Sequence, residues 1–374
     1  MYSVYQHWDP LKVCVVGRSY PPEFYSWIKV PHVRELFERI AVETEEDYQE
    51  IIKLLKKFGV SVLRPDLVED VLVNGKFKPP PMTPRDYTVM IGKTFYFNHG
   101  FDFRYFYESV KDSSWPECTS IEDFNTLPLR IQKECIEIHN LERWTINHNY
   151  SNIYKHISAQ GNSLKGFVHS SINGAMASRI GKDLYFGTQT PSDDIGLLQD
   201  NLDMEFVNTR NHIINTAGHA DSTYCPVCPG LIISLQDVPT YKNTFPGWEV
   251  VYLPGQSWTA VRPFLDLKAK NKGRWWIPGF EYDSDVVNVV ETWLEHWTGY
   301  VEETVFDVNM LIIDPKNVIV FNYNKQVFDA LDRYGITPHI VPFRHRYFWD
   351  GGIHCITSDL HREGSMQDYF PERG

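Results

Sequence analysis

Five short apolar runs recur in this chain with similar punctuation: residues 11–17 (LKVCVVG), 87–97 (YTVMIGKTFYF), 174–187 (GAMASRIGKDLYFG), 230–236 (GLIISLQ) and 309–321 (NMLIIDPKNVIVF). Several carry a turn signal, IGKT, IGKD or IDPKN, between two apolar halves, which reads as a β-hairpin. Most are followed by a helix-like stretch and one more strand: residues 44–58 lead to 60–65, and 324–334 lead to 337–342. In the first of these helices Tyr48, Ile51, Ile52, Leu54 and Leu55 keep three-and-four spacing, and Gly59 and Gly335 stand where helix C-termini favour glycine. A strand-helix-strand unit is thus repeated, and five such units can close into a ring.

A closed ring needs material for a core. Of the 374 residues, 43% are hydrophobic and 14% aromatic, which is ample. The expectation is an α/β fold with residues 1–374 in a single domain. Between residues 111 and 165 the pattern lapses into polar sequence with scattered aromatics, read as an insertion in the second unit. Residues 76–84 (KFKPPPMTP) read as a stiff connector and 370–374 as a frayed tail.

The formal charge of −12 opposes a phosphate-backbone or anionic-membrane partner and suits a small cationic substrate. No apolar run is long enough to span a bilayer. The opening MYSVYQHWDP has neither the apolar stretch of a secretory leader nor a transit pattern, and six cysteines make no dense disulfide framework, so a cytoplasmic setting is expected. The CPVC segment at 225–228 offers half of a zinc site with no second pair, and reads as packing. Phosphate-cradling glycine loops are absent, so neither metal nor cofactor is expected.

Chemistry concentrates in two places. In WDGGIHCITSDLHR (349–362), Gly351 and Gly352 free the backbone just before Cys355, placing a thiol at a loop-to-strand corner where a nearby positive charge would make it a nucleophile. In GHADSTY (218–224), His219 and Asp221 are two apart, and in an extended segment they would face one pocket. Taken singly, the first is also a small buried hydrophobe and the second a surface pair.

The ordered set is more specific. PRD at 84–86, NGAMASRIGKDLYF at 173–186, GHAD at 218–221, and GGIHCITSDLHR at 351–362 with a later GSMQDYF are similar to the motifs of the amidinotransferases. That family includes the glycine and inosamine-phosphate amidinotransferases, within the guanidino-group-modifying, or pentein, superfamily. WDPLKVCVVG at 8–17 resembles the family's first strand, so the likeness spans nearly the whole chain.

The resemblance implies a five-bladed α/β propeller with a central pocket. It implies that Cys355 attacks the guanidinium carbon of arginine, that ornithine leaves, and that an amine acceptor takes the amidino group from the cysteine in a ping-pong cycle. His219 would serve as acid and base, and Asp86 and Asp221 would bind the guanidinium. The chain departs from the pattern at Asn173, where the family has an aspartate partnering the histidine; an amide can orient His219 but brings no charge. A second departure is Glu302 and Glu303, where glycine-accepting relatives have small hydroxyl residues; an acidic pair there suggests a polycationic or amino-bearing acceptor, and reads equally as an exposed charged turn. Relatives often pair, so a homodimer is the assembly the resemblance suggests. Two other readings stay open: hydrolysis of arginine or a related guanidino compound, and a guanidino-binding homologue with weakened turnover.

Overall fold

The computed structural model describes residues 1–67, 72–73, 76–97, 116–118, 121–133, 149–167, 172–188, 195–216, 219–235, 240–253, 276–280, 282–294, 297, 307–349 and 351–373. Its strands begin with β1 (Leu11–Val16), β2 (Ser61–Leu63) and a small hairpin of β3 (Leu72–Val73) and β4 (Lys76–Phe77). Then come β5 (Thr88–Ile91), β6 (Thr94–Phe97), β7 (Ser163–Gly166), β8 (Ala177–Ile180), β9 (Asp183–Thr188) and β10 (Arg210–Asn215). The last are β11 (Tyr224–Cys228), β12 (Leu231–Ser234), β13 (Glu249–Tyr252), β14 (Leu311–Asp314), β15 (Asn317–Val320), β16 (Thr337–Ile340) and β17 (Thr357–Arg362).

Apart from β3 and β4, these strands form five three-stranded mixed sheets of one design, the architecture of a pentein propeller. A first strand pairs antiparallel with a middle strand, which pairs parallel with a third: β5-β6-β7, β8-β9-β10, β11-β12-β13 and β14-β15-β16. The fifth sheet, β17-β1-β2, takes its first strand from the C-terminal end of the chain and its middle strand from the N-terminal end, so the ring closes through chain termini. The turn signals IGKT and IGKD make tight hairpins because Gly92 (φ 58) and Gly181 (φ 65) take the left-handed conformation there.

Parallel strands need a crossover, and helices supply it. They are α1 (Pro31–Lys57) between β1 and β2, α2 (Ser151–Ala159) before β7, α3 (Ile195–Glu205) between β9 and β10, and α4 (Lys325–Arg333) between β15 and β16. The sheet β11-β12-β13 has the single turn Tyr241–Thr244 in this place. Helix α1 begins well before the expected residue 44, with Pro31 as its first residue and no side-chain cap on the preceding Val30. Its stripe of Val33, Leu36, Phe37, Ile40, Tyr48, Ile51 and Leu55 is buried against Leu311, Ile313, Phe343 and Phe348. Full burial of each such side chain contributes on the order of 1.5–3 kcal/mol.

The expectation for the tail changes. The tail is docked: Phe370 is buried, and Arg373 donates to Asp183 Oδ1 (2.8 Å), the Tyr185 hydroxyl (2.7 Å) and the Thr244 carbonyl. The CPVC segment is β11 itself, the first strand of a sheet. Burial pushes its Cys225 and Cys228 thiols up, that of Cys228 to about 11. Much of the stretch read as an insertion, and both Glu302 and Glu303, lie outside the described residues.

Candidate active site

Each sheet contributes a polar residue just ahead of its first strand. Asp86 precedes β5, Asn173 precedes β8, His219 and Asp221 precede β11, Asn309 precedes β14 and Cys355 precedes β17. A tight turn or a single helical turn presents each group. The turns pack on one another: helix Pro84–Tyr87 lies against the 3-10 turn Gly174–Met176 and against β17, and Ala220–Thr223 lies against the same 3-10 turn. Gly174 makes this approach possible, because a Cβ there would stand 2.3 Å from the Arg85 carbonyl oxygen and 2.5 Å from that of Thr88.

His219 and Asp221 are not on an extended strand as the sequence suggested. His219 (φ −58, ψ 145) is the residue entering the helical turn Ala220–Thr223, and Asp221 lies inside that turn. The two side chains therefore serve different neighbours. His219 Nδ1 stands 3.6 Å from Asp86 Oδ1, and its Nε2 stands 3.4 Å from Asn173 Nδ2. Asn173 caps the 3-10 turn by accepting from the N–H groups of Ala175 (2.9 Å) and Met176 (3.1 Å), which fixes its Oδ1 there and leaves the NH₂ toward the imidazole. Nε2 is then the acceptor, and the ring proton sits on Nδ1, facing Asp86.

Asp221 is buried. Its Oδ2 accepts from His354 Nδ1 at 2.7 Å and lies 3.6 Å from the Cys355 sulfur. Its Oδ1 is enclosed without a hydrogen-bond partner among the described residues. Burial pushes this carboxyl up, but the His354 hydrogen bond, with His219 and Arg85 nearby, outweighs it, so the net shift is downward and Asp221 is an anion. Burial, aided by Arg85, lowers His354, which therefore donates as a neutral imidazole. Asp86 moves the other way: desolvation raises it and Asp221 adds repulsion, against the pull of His219.

Beneath the site lies an ion cluster that the sequence reading did not single out. Asp359 on β17 meets Arg85 (2.8 Å), Arg179 of β8 (2.8 Å) and Arg362 (2.6 Å), all buried. Desolvation opposes the charge of Asp359, yet the three guanidiniums hold its carboxyl well below the usual range. Arg85 also donates through Nε to the Thr357 carbonyl and through its backbone N–H to the Cys355 carbonyl, both at 3.2 Å. Asp86 and Cys355 are thereby held on one frame. A charged residue inside an apolar strand, as in SRIGKD and TSDLHR, was the available signal.

No family model matches the chain. Among curated proteins it is similar to the mitochondrial glycine amidinotransferase of Xenopus laevis, 22% identical over 98% of this chain and 84% of that protein. It also resembles the L-arginine:L-lysine amidinotransferase of Pseudomonas savastanoi pv. phaseolicola, 22% identical over 52% of this chain and 45% of that protein. The chain is thus similar to amidinotransferases over nearly its whole length. Its fold is that of an amidinotransferase of saxitoxin biosynthesis from Microseira wollei (TM-score 0.61, 19% identity, 99% of both chains). The inosamine-phosphate amidinotransferase of Streptomyces griseus superposes equally well (TM-score 0.61, 17% identity, 99% of both chains).

Among the described residues of this amidinotransferase-like chain, one group has metal-ligand spacing, the surface trio His32, Asp283 and Asp285, none of them in the site. No described helix is long and apolar enough to cross a membrane.

Proposed function

We propose that this chain transfers the amidino group of L-arginine to an amine acceptor through a covalent amidino-Cys355 intermediate. The observation that carries this reading is the placement of Asp221, a buried anion with one oxygen beside the Cys355 sulfur and the other without a hydrogen-bond partner among the described residues, next to the His219–Asp86 pair. Two carboxylates, an imidazole and a thiol fit a planar cation whose N–H groups pair with carboxylates and whose central carbon takes the sulfur.

In the first half-reaction the Cys355 proton passes to His219, and the thiolate attacks the guanidinium carbon. The carbon–nitrogen bond to the amino-acid side then breaks as His219 returns the proton to the leaving amine, giving ornithine. The adduct keeps its positive charge, which Asp86 and Asp221 neutralise. In the second half an acceptor amine attacks, His219 takes its proton, and the carbon–sulfur bond breaks to release thiolate.

The test is incubation with L-arginine with and without a panel of primary amines. Ornithine release that requires an added amine, an amidino adduct on Cys355 by mass spectrometry, and loss of both in Cys355→Ser are expected. Citrulline formed without an amine would make the chain a hydrolase, and ligand binding with no adduct from any guanidino donor would make it a binding protein.

A further inference from the structure

The fifth position in the ring of pre-strand residues belongs to Asn309, which stands ahead of β14 as Cys355 stands ahead of β17. It is 1% exposed. Its Oδ1 accepts from the backbone N–H of His354 (2.7 Å) and of Cys355 (3.4 Å). Those two donors fix which end of the amide is oxygen, so the NH₂ end points the other way. It lies 3.0 Å from the Cys355 sulfur and 3.3 Å from the Asp221 carbonyl oxygen.

The nucleophile turn is shaped to admit this side chain. A Cβ on Gly352 would sit 2.2 Å from Asn309 Oδ1 and 2.3 Å from its Cγ, so only glycine leaves room for the amide beneath the loop. The second glycine of the GGIHC segment thus has a function beyond backbone freedom: it lets an amide donor reach the sulfur.

We propose that Asn309 is a further catalytic residue, its Nδ2–H donating to the Cys355 sulfur and stabilising the thiolate. This rests on the covalent chemistry proposed above and adds a group to it. Asp221 Oδ2, 3.6 Å from the sulfur, disfavours a second negative charge there. A donor aimed at the sulfur offsets that repulsion, since hydrogen bonds to the ionised form favour it. Asn309 acts twice per cycle: it holds the thiolate before attack on the guanidinium carbon, and again when the carbon–sulfur bond breaks and the electron pair returns to sulfur. The other charged and titratable groups of the surrounding turns are His354, His219 and Asp86, with Arg85 and Asp359 behind the strand.

The test reads the thiolate without substrate. Ultraviolet thiolate absorbance is followed against pH for the full chain, subtracting a Cys355→Ser counterpart of each protein, with circular dichroism to establish folding. Asn309→Ala is expected to raise the midpoint by about one to two pH units, so that below the midpoint the thiolate fraction falls roughly ten- to hundredfold. Asn309→Ser, which keeps an acceptor under the loop but is too short to reach the sulfur, and Gly352→Ala, which displaces the amide, are expected to shift it in the same direction. A folded member of this set with an unmoved or lowered midpoint would overturn the proposal. Because arginine takes no part, a shifted midpoint in a protein that makes no ornithine would leave this role standing and remove the transfer reading instead.

Discussion

The side-chain oxygen of Asn173 is committed to the N–H groups of Ala175 and Met176, so what His219 meets at Nε2 is an N–H and not a charge. Asn173→Asp would keep the cap, since aspartate caps as well as asparagine does. It would also place a carboxylate about 3.4 Å from Nε2. An opposite charge at that range stabilises imidazolium, so the basic form of His219 should appear at higher pH, by about one unit or more. The expected outcome is an upward shift of the acid limb in the pH profile of ornithine release, and an unmoved limb would mean that Asp86 alone sets the histidine. Position 173 was legible in the sequence because its motif has a fixed register with GKD. His354 and Asn309 were not, because each sits beside an apolar run and reads locally as the start of a strand.

Among the elements, the hairpins carrying IGKT, IGKD and IDPKN could be read from their turns, since a local backbone requirement leaves a local mark. Helix α1 was read only in its second half, because it starts at Val30-Pro31 without the polar cap that normally announces a helix. The partner of β1 could not be read at all: β17 is at the opposite end of the chain, and pairing at such separation leaves no pattern in either strand. What joins β17, β8 and the Asp86 helix is the cluster around Asp359. Asp359→Asn would leave Arg85, Arg179 and Arg362 buried around a neutral amide, and removing one partner of a buried ionic group costs about 3–5 kcal/mol. A lowered urea midpoint checks this. Because the folded carboxyl is held below its ordinary value, its contribution is complete above the unfolded pKa of about 3.9 and is lost only as pH falls through the lower folded value. Wild-type protein should therefore keep this contribution down to about pH 4, while the variant lacks it at every pH.

At the scale of the molecule, the site exists because a ring brings five pre-strand turns together, and the ring is closed by β1 lying between β17 and β2. Proline use follows this layout: β11 and β16, both outer members of their sheets, contain Pro226 and Pro338, while none of the middle strands β1, β6, β9, β12 and β15 contains proline. A proline cannot donate to a ladder, so edges tolerate it and centres do not. Val15 pairs with Ser358 on one side and Leu63 on the other, and is fully buried. Val15→Pro removes a ladder donor, forces the ring's bulk into a packed strand, and should cost more than the roughly 1 kcal/mol typical of a single substitution. Since β17 begins at Thr357, close after Cys355, loosening β1 should also release the nucleophile turn from Asn309 and Asp221. The expected result is a lower urea midpoint together with loss of ornithine release from the fraction that remains folded. If that folded fraction keeps full turnover, the nucleophile is held by its own sheet and ring closure contributes stability alone.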